Sequence, residues 1–300
     1  MVEKEVKYVE YVKTKFPELN ISNIKFSLSD GKHNDIMIIN DEYVFKFSKY
    51  DWTIAFLNNE VNFINFIRGY VDMPLPIIEY LDKGIAKCNL IKGMPLFRTE
   101  VLLLENRDQD CIAEQIGVFF KQLHSIPLKN VNSKNINEIS VDLTREGWLS
   151  EYEDIQRKVY PYCGSYSKEY IKQVFKPLLE NEDFIEFQPA LIHADLAPYH
   201  FFFDRDSNRI NGVIGFNIAG IGDPAYDVGV ILDNLGEAFV KRISRYYKDI
   251  ATFIDRARFY AYVNNLTWAK KVADMITTRD FTHLQFNTKE RDIMPIGSKL

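Results

Sequence analysis

Apolar residues in the first stretch recur near every 3.6 positions, at Val6, Val9, Val12 and Phe16, and Pro17 closes the pattern, so an opening helix is predicted. Residues 21–26 read as a strand and 27–35 as a turn-rich loop around Gly31. Residues 36–39 and 43–48 are two further strands across the short polar link Asn40-Asp41-Glu42, the pattern of a hairpin. Ile54, Leu57, Val61 and Ile64 mark one face of a helix over 54–67. Met73-Pro74-Leu75-Pro76 breaks the chain, strands follow at 77–80 and 85–91, and Lys92-Gly93-Met94-Pro95 ends them.

The character then changes. Ile112, Ile116, Phe119, Phe120 and Leu123 form an amphipathic helical stripe, and the reading stays mostly helical to about residue 188. Short β segments are expected at 190–193, 201–203 and 212–214, and helix returns after them. The expected fold class is therefore α+β, with a small β-rich lobe over residues 1–92 and a larger helical lobe over 93–300. Length and composition agree with this. The 300 residues are 46% hydrophobic and 26% charged, enough apolar surface for a substantial core. A net charge of −5 lacks the basic excess of a nucleic-acid binder and is compatible with a cationic small-molecule partner. Cys88, Cys111 and Cys163 are far apart and form no CxxC pair, which argues against a zinc site or disulfide framework. No apolar run approaches the ~20 residues of a membrane span, and residues 1–10 are charged without a signal-peptide core. A cytoplasmic protein with no membrane partner is expected.

The strongest chemical signal is Leu191-Ile192-His193-Ala194-Asp195, an apolar strand running into His-x-Asp, with His200 five residues beyond the aspartate. Gly212-Val213-Ile214-Gly215-Phe216-Asn217 follows as a β-turn-β pattern. This is the layout of a kinase catalytic loop followed by its metal-binding loop: a carboxylate to orient or deprotonate the attacking hydroxyl, then ligands for the ions that neutralise the phosphates. The segment resembles the aminoglycoside phosphotransferases, particularly the 2″-phosphotransferases. Gly220-Ile221-Gly222-Asp223-Pro224-Ala225-Tyr226-Asp227 matches that family's Asp-Pro-x-x-Asp segment, and Leu123-His124-Ser125 its helix ending. Tyr43-Val44-Phe45-Lys46-Phe47 looks like its lysine-bearing strand, and Asn59-Glu60-Val61 like the partner glutamate's helix.

The resemblance implies a two-lobed protein-kinase-like fold and a phosphotransferase using ATP or GTP with Mg2+ on a hydroxyl of an aminoglycoside-like antibiotic. It implies that Asp195 orients the acceptor hydroxyl, His200 holds a metal ion, and Lys46, held by Glu60, contacts the phosphates. Asp227 braces the catalytic loop and His193 is structural. The loop containing Ser29 and Gly31 lies over the phosphates, and the hinge over 87–90, with Cys88 and Leu90, reads the purine. Asp233, Glu237 and Trp268 fall near the family's acceptor-binding positions, although Ile218 and Asn234 stand where relatives tend to carry further acids.

One position departs from the pattern. The metal loop should open on aspartate, and Gly215 has no side chain to ligate an ion. Three accounts are open: a substituted ligand such as water, Asn217 or Asp195; a protein of kinase fold that binds nucleotide or an amine without turnover; or a change introduced into a competent enzyme. A kinase for a metabolite such as choline is a further alternative for the substrate.

Overall fold

The computed structural model describes residues 3–28, 33–131, 136, 138–139, 141–275 and 292–300, with the backbone alone for 271–275. The expected loop residues Ser29 and Gly31 lie outside the described residues. The chain opens with helix α1 (Glu3–Lys15) and strands β1 (Ile24–Ser27), β2 (Asn34–Ile39) and β3 (Tyr43–Ser48). Helix α2 (Ile54–Ile67) and strands β4 (Ile78–Asp82) and β5 (Ile85–Asn89) complete the small lobe. Its sheet runs in the order β1-β2-β3-β5-β4, every pairing antiparallel.

Strand alternation sorts the β3 side chains. Phe45 and Phe47 pack with Met37 and Ile39 against Val9 and Val12 of α1. Val44 and Lys46 therefore face the other way, into the interlobe cleft, beside Ile36 and Ile38 of β2. The β2–β3 link holds Asn40 and Asp41 at φ of 57° and 53°, a left-handed pair that these two residue types tolerate. The first strand begins at Ile24 rather than at 21, because the Ser22 and Asn23 amides donate to the Asn40 side chain at 2.9 and 3.2 Å. The last strand stops at Asn89 rather than 91, where the Leu90 amide turns to donate to the Glu42 carbonyl at 2.7 Å.

The larger lobe begins with β6 (Met94–Pro95), α3 (Arg98–Leu103) and α4 (Asn106–His124), followed by α5 (Arg145–Lys158) and α6 (Ser165–Glu180). Strands β7 (Ala190–Ile192), β8 (Phe201–Asp204), β9 (Arg209–Val213) and β10 (Gly220–Gly222) carry the loops of interest. Helices α7 (Pro224–Leu235), α8 (Glu237–Ile243) and α9 (Ile250–Met275) close the described fold. The stripe predicted on α4 is buried as expected, with Ile112, Ile116, Phe119, Phe120 and Leu123 in the core. That core is continuous with Leu57, Phe63 and Ile64 of α2, so the helix of the small lobe is seated on the large one. Among the described residues, no helix is long and apolar enough to cross a membrane.

Candidate active site

The loop after β7 is fixed from beneath. Asp227, fully buried in the first turn of α7, accepts from the His193 amide at 2.9 Å and from the Ala194 amide at 2.7 Å. Ala194 sits at φ +67°, a strained conformation for a residue with a Cβ, and the two charge-assisted bonds hold it there. His124 Nε2 lies 3.2 Å from the same carboxylate, and its Nδ1 lies 3.3 Å from the Tyr247 hydroxyl. His193 Nε2 donates to the Ile214 carbonyl at 2.9 Å, so that nitrogen carries the proton and Nδ1 accepts from the Asp195 amide at 3.3 Å. Burial above all, then the neighbouring His200, pushes the His193 pKa down to about 4. A neutral ring with both nitrogens on backbone positions the loop rather than exchanging protons.

Asp195 and His200 follow on the rim of an interlobe cleft of about 490 Å3. The cleft is also lined by Lys46, Cys88, Leu90, Gly215, Asn217 and Trp268. Lys46 Nζ is 2.7 Å from Glu60 Oε1, and Glu60 is fully buried. Burial would lower the lysine pKa, but the Glu60 carboxylate outweighs it and the ammonium is kept charged. Burial raises the Cys88 thiol despite the neighbouring Lys46 charge, so this cysteine is an apolar wall rather than a nucleophile. The Leu90 side chain lines the cleft, but its amide is spent on Glu42, so it is not the hinge donor that a purine would meet.

The loop between β9 and β10 is pinned from the small lobe. Asn59 of α2 donates to the Asn217 and Ala219 carbonyls at 3.2 and 2.8 Å, and Asn34 of β2 reaches the Asn217 side chain at 3.4 Å. Phe216 is buried against Phe63 and the His193 ring. The sequence placed Asn34 at the end of the loop expected over the phosphates and Asn59 beside Glu60, and gave neither this pinning role. The available signal was a polar residue beside Glu60, on a helix that also carries Asn58, Asn62 and Asn65.

Gly215 takes φ +92°, and a Cβ built there would stand 2.8 Å from His200 Nε2 and 2.9 Å from Cδ2. The imidazole thus fills the space a side chain at 215 would need. His200 Nδ1 lies 2.5 Å from the Asp195 carbonyl, so Nδ1 bears the proton and the lone pair is at Nε2. Burial, only partly opposed by the Asp195 charge, lowers its pKa and keeps the ring neutral. Mg2+ prefers six oxygens in octahedral array. Among the described residues no three His, Cys, Asp or Glu side chains are grouped to hold a metal ion. One imidazole nitrogen beside a bare glycine does not fit the magnesium site that the resemblance implies.

Residues 27–262 match the phosphotransferase enzyme family. The chain belongs to that family. No curated protein matches it. Similar solved structures include the GDP and kanamycin complex of the aminoglycoside phosphotransferase APH(2″)-IIIa, at 23% identity and a TM-score of 0.80, covering 91% of this chain and 94% of that one. The streptomycin–ATP complex of APH(2″)-IIa aligns at 22% identity and a TM-score of 0.71, over 98% and 100% of the two chains. A macrolide 2′-phosphotransferase from Brachybacterium faecium aligns at 14% identity and a TM-score of 0.70, over 91% and 94%. At these identities the likeness is one of fold: this phosphotransferase-family chain has the two-lobed kinase-like architecture expected from its sequence.

The acceptor-side expectations divide. Trp268 is delivered to the cleft by α9 and is 48% exposed. Asp233 instead ties α7 to α9, accepting from Asn264 at 2.7 Å and Asn265 at 3.4 Å. Glu237 is corrected: it is buried, ion-paired with the fully buried Arg258, and accepts from the Met294 amide at 3.3 Å. A buried carboxylate already committed to a guanidinium has no capacity left for a substrate amine.

Proposed function

We propose that this chain is a nucleotide-dependent O-phosphotransferase acting on a hydroxyl of an aminoglycoside-like antibiotic, with ATP or GTP as donor. The observation that carries the reading is a single cleft that holds Asp195 on a braced loop and, on the sheet, Lys46, which Glu60 of α2 pairs from behind. Residues 1–92 hold the nucleotide and 93–300 the acceptor. Lys46 meets the phosphates, while Cys88 and the Leu90 side chain pack on the purine. Asp195 accepts the proton of the acceptor hydroxyl as its oxygen forms a bond to the γ-phosphorus and the bond to the bridging oxygen breaks. Trp268 covers the acceptor end. A cytoplasmic setting, where nucleotide donors are plentiful, suits this role.

A second reading is favoured by one observation, the glycine at 215 with His200 over it. In that reading the protein binds nucleotide and turns over slowly or not at all. Phosphate transfer from ATP and GTP to kanamycin and streptomycin, with Asp195→Asn as control, separates the two. Transfer by the parent chain that Asp195→Asn abolishes supports the transferase. Nucleotide binding without transfer to any acceptor supports the second reading.

A further inference from the structure

The face of the small-lobe sheet turned away from the cleft carries a buried carboxylate among apolar side chains. Strand alternation puts Asp35 on the same side as Met37 and directly across the ladder from Phe47. Those two belong to the apolar layer under α1, and Asp35 is fully buried beside them. Tyr8 of α1 bridges the pair: its ring stacks on Phe47 with centroids 3.9 Å apart, and its hydroxyl donates to Asp35 Oδ2 at 2.7 Å. Burial first, then Asp35, pushes the Tyr8 pKa up, so the hydroxyl stays a donor. Lys4, one turn earlier on α1, ion-pairs with the same oxygen, and the Lys49 ammonium just beyond β3 lies 3.6 Å from Oδ1.

Stability alone does not account for an aspartate in this layer. A buried ion pair is often no more stabilising than apolar residues of the same volume, and its best-attested use is to fix one arrangement among several. Here Oδ1 makes no hydrogen bond among the described residues, so the carboxylate is incompletely satisfied as well as buried. What the arrangement fixes is the start of β2. Asn34, the preceding residue, faces the opposite way, lines the cleft and reaches the Asn217 side chain at 3.4 Å. It stands two residues from Ile36, the cross-strand partner of Lys46. His33 lines the cleft too, and its carbonyl accepts from the Lys49 amide at 2.9 Å. A chain of contacts therefore runs from Lys4 and Tyr8 through Asp35 and Asn34 to Asn217, on the loop that carries Gly215. It begins on a helix that precedes the family-matched residues 27–262.

We propose that Asp35, clamped by Tyr8 and Lys4 of α1, is a positioning residue for the phosphates of the nucleotide: it holds His33 and Asn34 in register against Asn217 beside Lys46. The inference rests on the nucleotide-binding part of the reading above. Cys88 and Leu90, the wall for the purine, stand on and just after β5, which is separated from β2 by β3. A shift at the start of β2 therefore reaches the phosphates and leaves the base where it is.

Titration calorimetry of the full chain with ATP, GTP, adenosine and guanosine tests this. Tyr8→Phe keeps the ring stacked on Phe47 and removes only the hydroxyl, and Asp35→Asn keeps the shape and removes the charge. The expected result is a loss of triphosphate affinity of about five-fold or more in each, the scale of one hydrogen bond. Nucleoside affinity should stay within about two-fold of the parent, a split that general loosening of the lobe would not produce. Thermal unfolding confirms that each variant is folded. Should Asp35→Asn fail to fold, Lys4→Met, at a half-exposed ammonium, breaks the same link and is read by the same ratio. Triphosphate affinity unmoved in the folded variants, or triphosphate and nucleoside affinity falling together, overturns the positioning role and leaves the reading above intact. A parent chain that binds neither triphosphate overturns both.

Discussion

The interlock of Gly215 and His200 makes an aspartate introduced at 215 an informative perturbation. Gly215→Asp puts a β-carbon 2.8 Å from His200 Nε2 and 2.9 Å from Cδ2, closer than such carbons approach any neighbour. The backbone is also at φ +92°, where a side chain adds about 1–2 kcal/mol of strain. If the ring swings away, the His200 hydrogen bond to the Asp195 carbonyl is lost, worth about 1 kcal/mol. Together these predict about 2–3 kcal/mol of destabilisation, or roughly 3–5 °C in melting temperature for a chain of this size. The catalytic loop moves with His200, so the single substitution is expected to bring no gain in phosphate transfer. Adding His200→Asn removes the obstructing ring, and the pair should recover part of the lost stability and make nucleotide binding Mg2+-dependent. Differential scanning calorimetry of the parent, Gly215→Asp and the double variant reads the first claim, and nucleotide titration with and without Mg2+ reads the second. A single variant that melts with the parent and turns over briskly would refute the steric argument.

Further expectations concern the same scaffold. Lys46→Met strands the fully buried Glu60 carboxylate and should cost about 3–5 kcal/mol in urea unfolding, whereas Lys46→Met with Glu60→Gln should cost markedly less. His193 is held neutral with its pKa near 4 against about 6.5 unfolded, so its contribution is complete above pH 6.5 and falls away as pH drops toward 4. The loss approaches about 3 kcal/mol by pH 4. It is read from urea midpoints at pH 5 and 7, and His193→Gln should flatten that slope. Asp227→Ala leaves the His193 and Ala194 amides without their acceptor, costing about 1–3 kcal/mol for each, and should abolish any transfer. Glu237→Ala should destabilise the fold by stranding Arg258 yet leave the acceptor KM unchanged, an outcome opposite to that for a substrate ligand.

Local patterning determined much of this protein. The hairpin 36–48, the helix from Ile54 to Ile67 and the α4 stripe are periodic enough that each segment's own burial preference fixed its type. The His-x-Asp loop was legible from the residue types that phosphoryl transfer uses, and the lysine strand and glutamate helix from their resemblance to a family pattern. The tertiary structure decided what a one-dimensional pattern does not carry. The carboxylates of Glu237 and Glu151 read alike as charges on helices, yet each is committed to a cation, and in Glu237's case that cation is 21 residues away. Leu90 sits in the expected hinge, but its amide is committed to Glu42 across the sheet edge. The absence of a side chain at Gly215 was visible in the sequence; that the His200 ring fills its place was not, because that contact depends on how two loops from different strands are brought face to face.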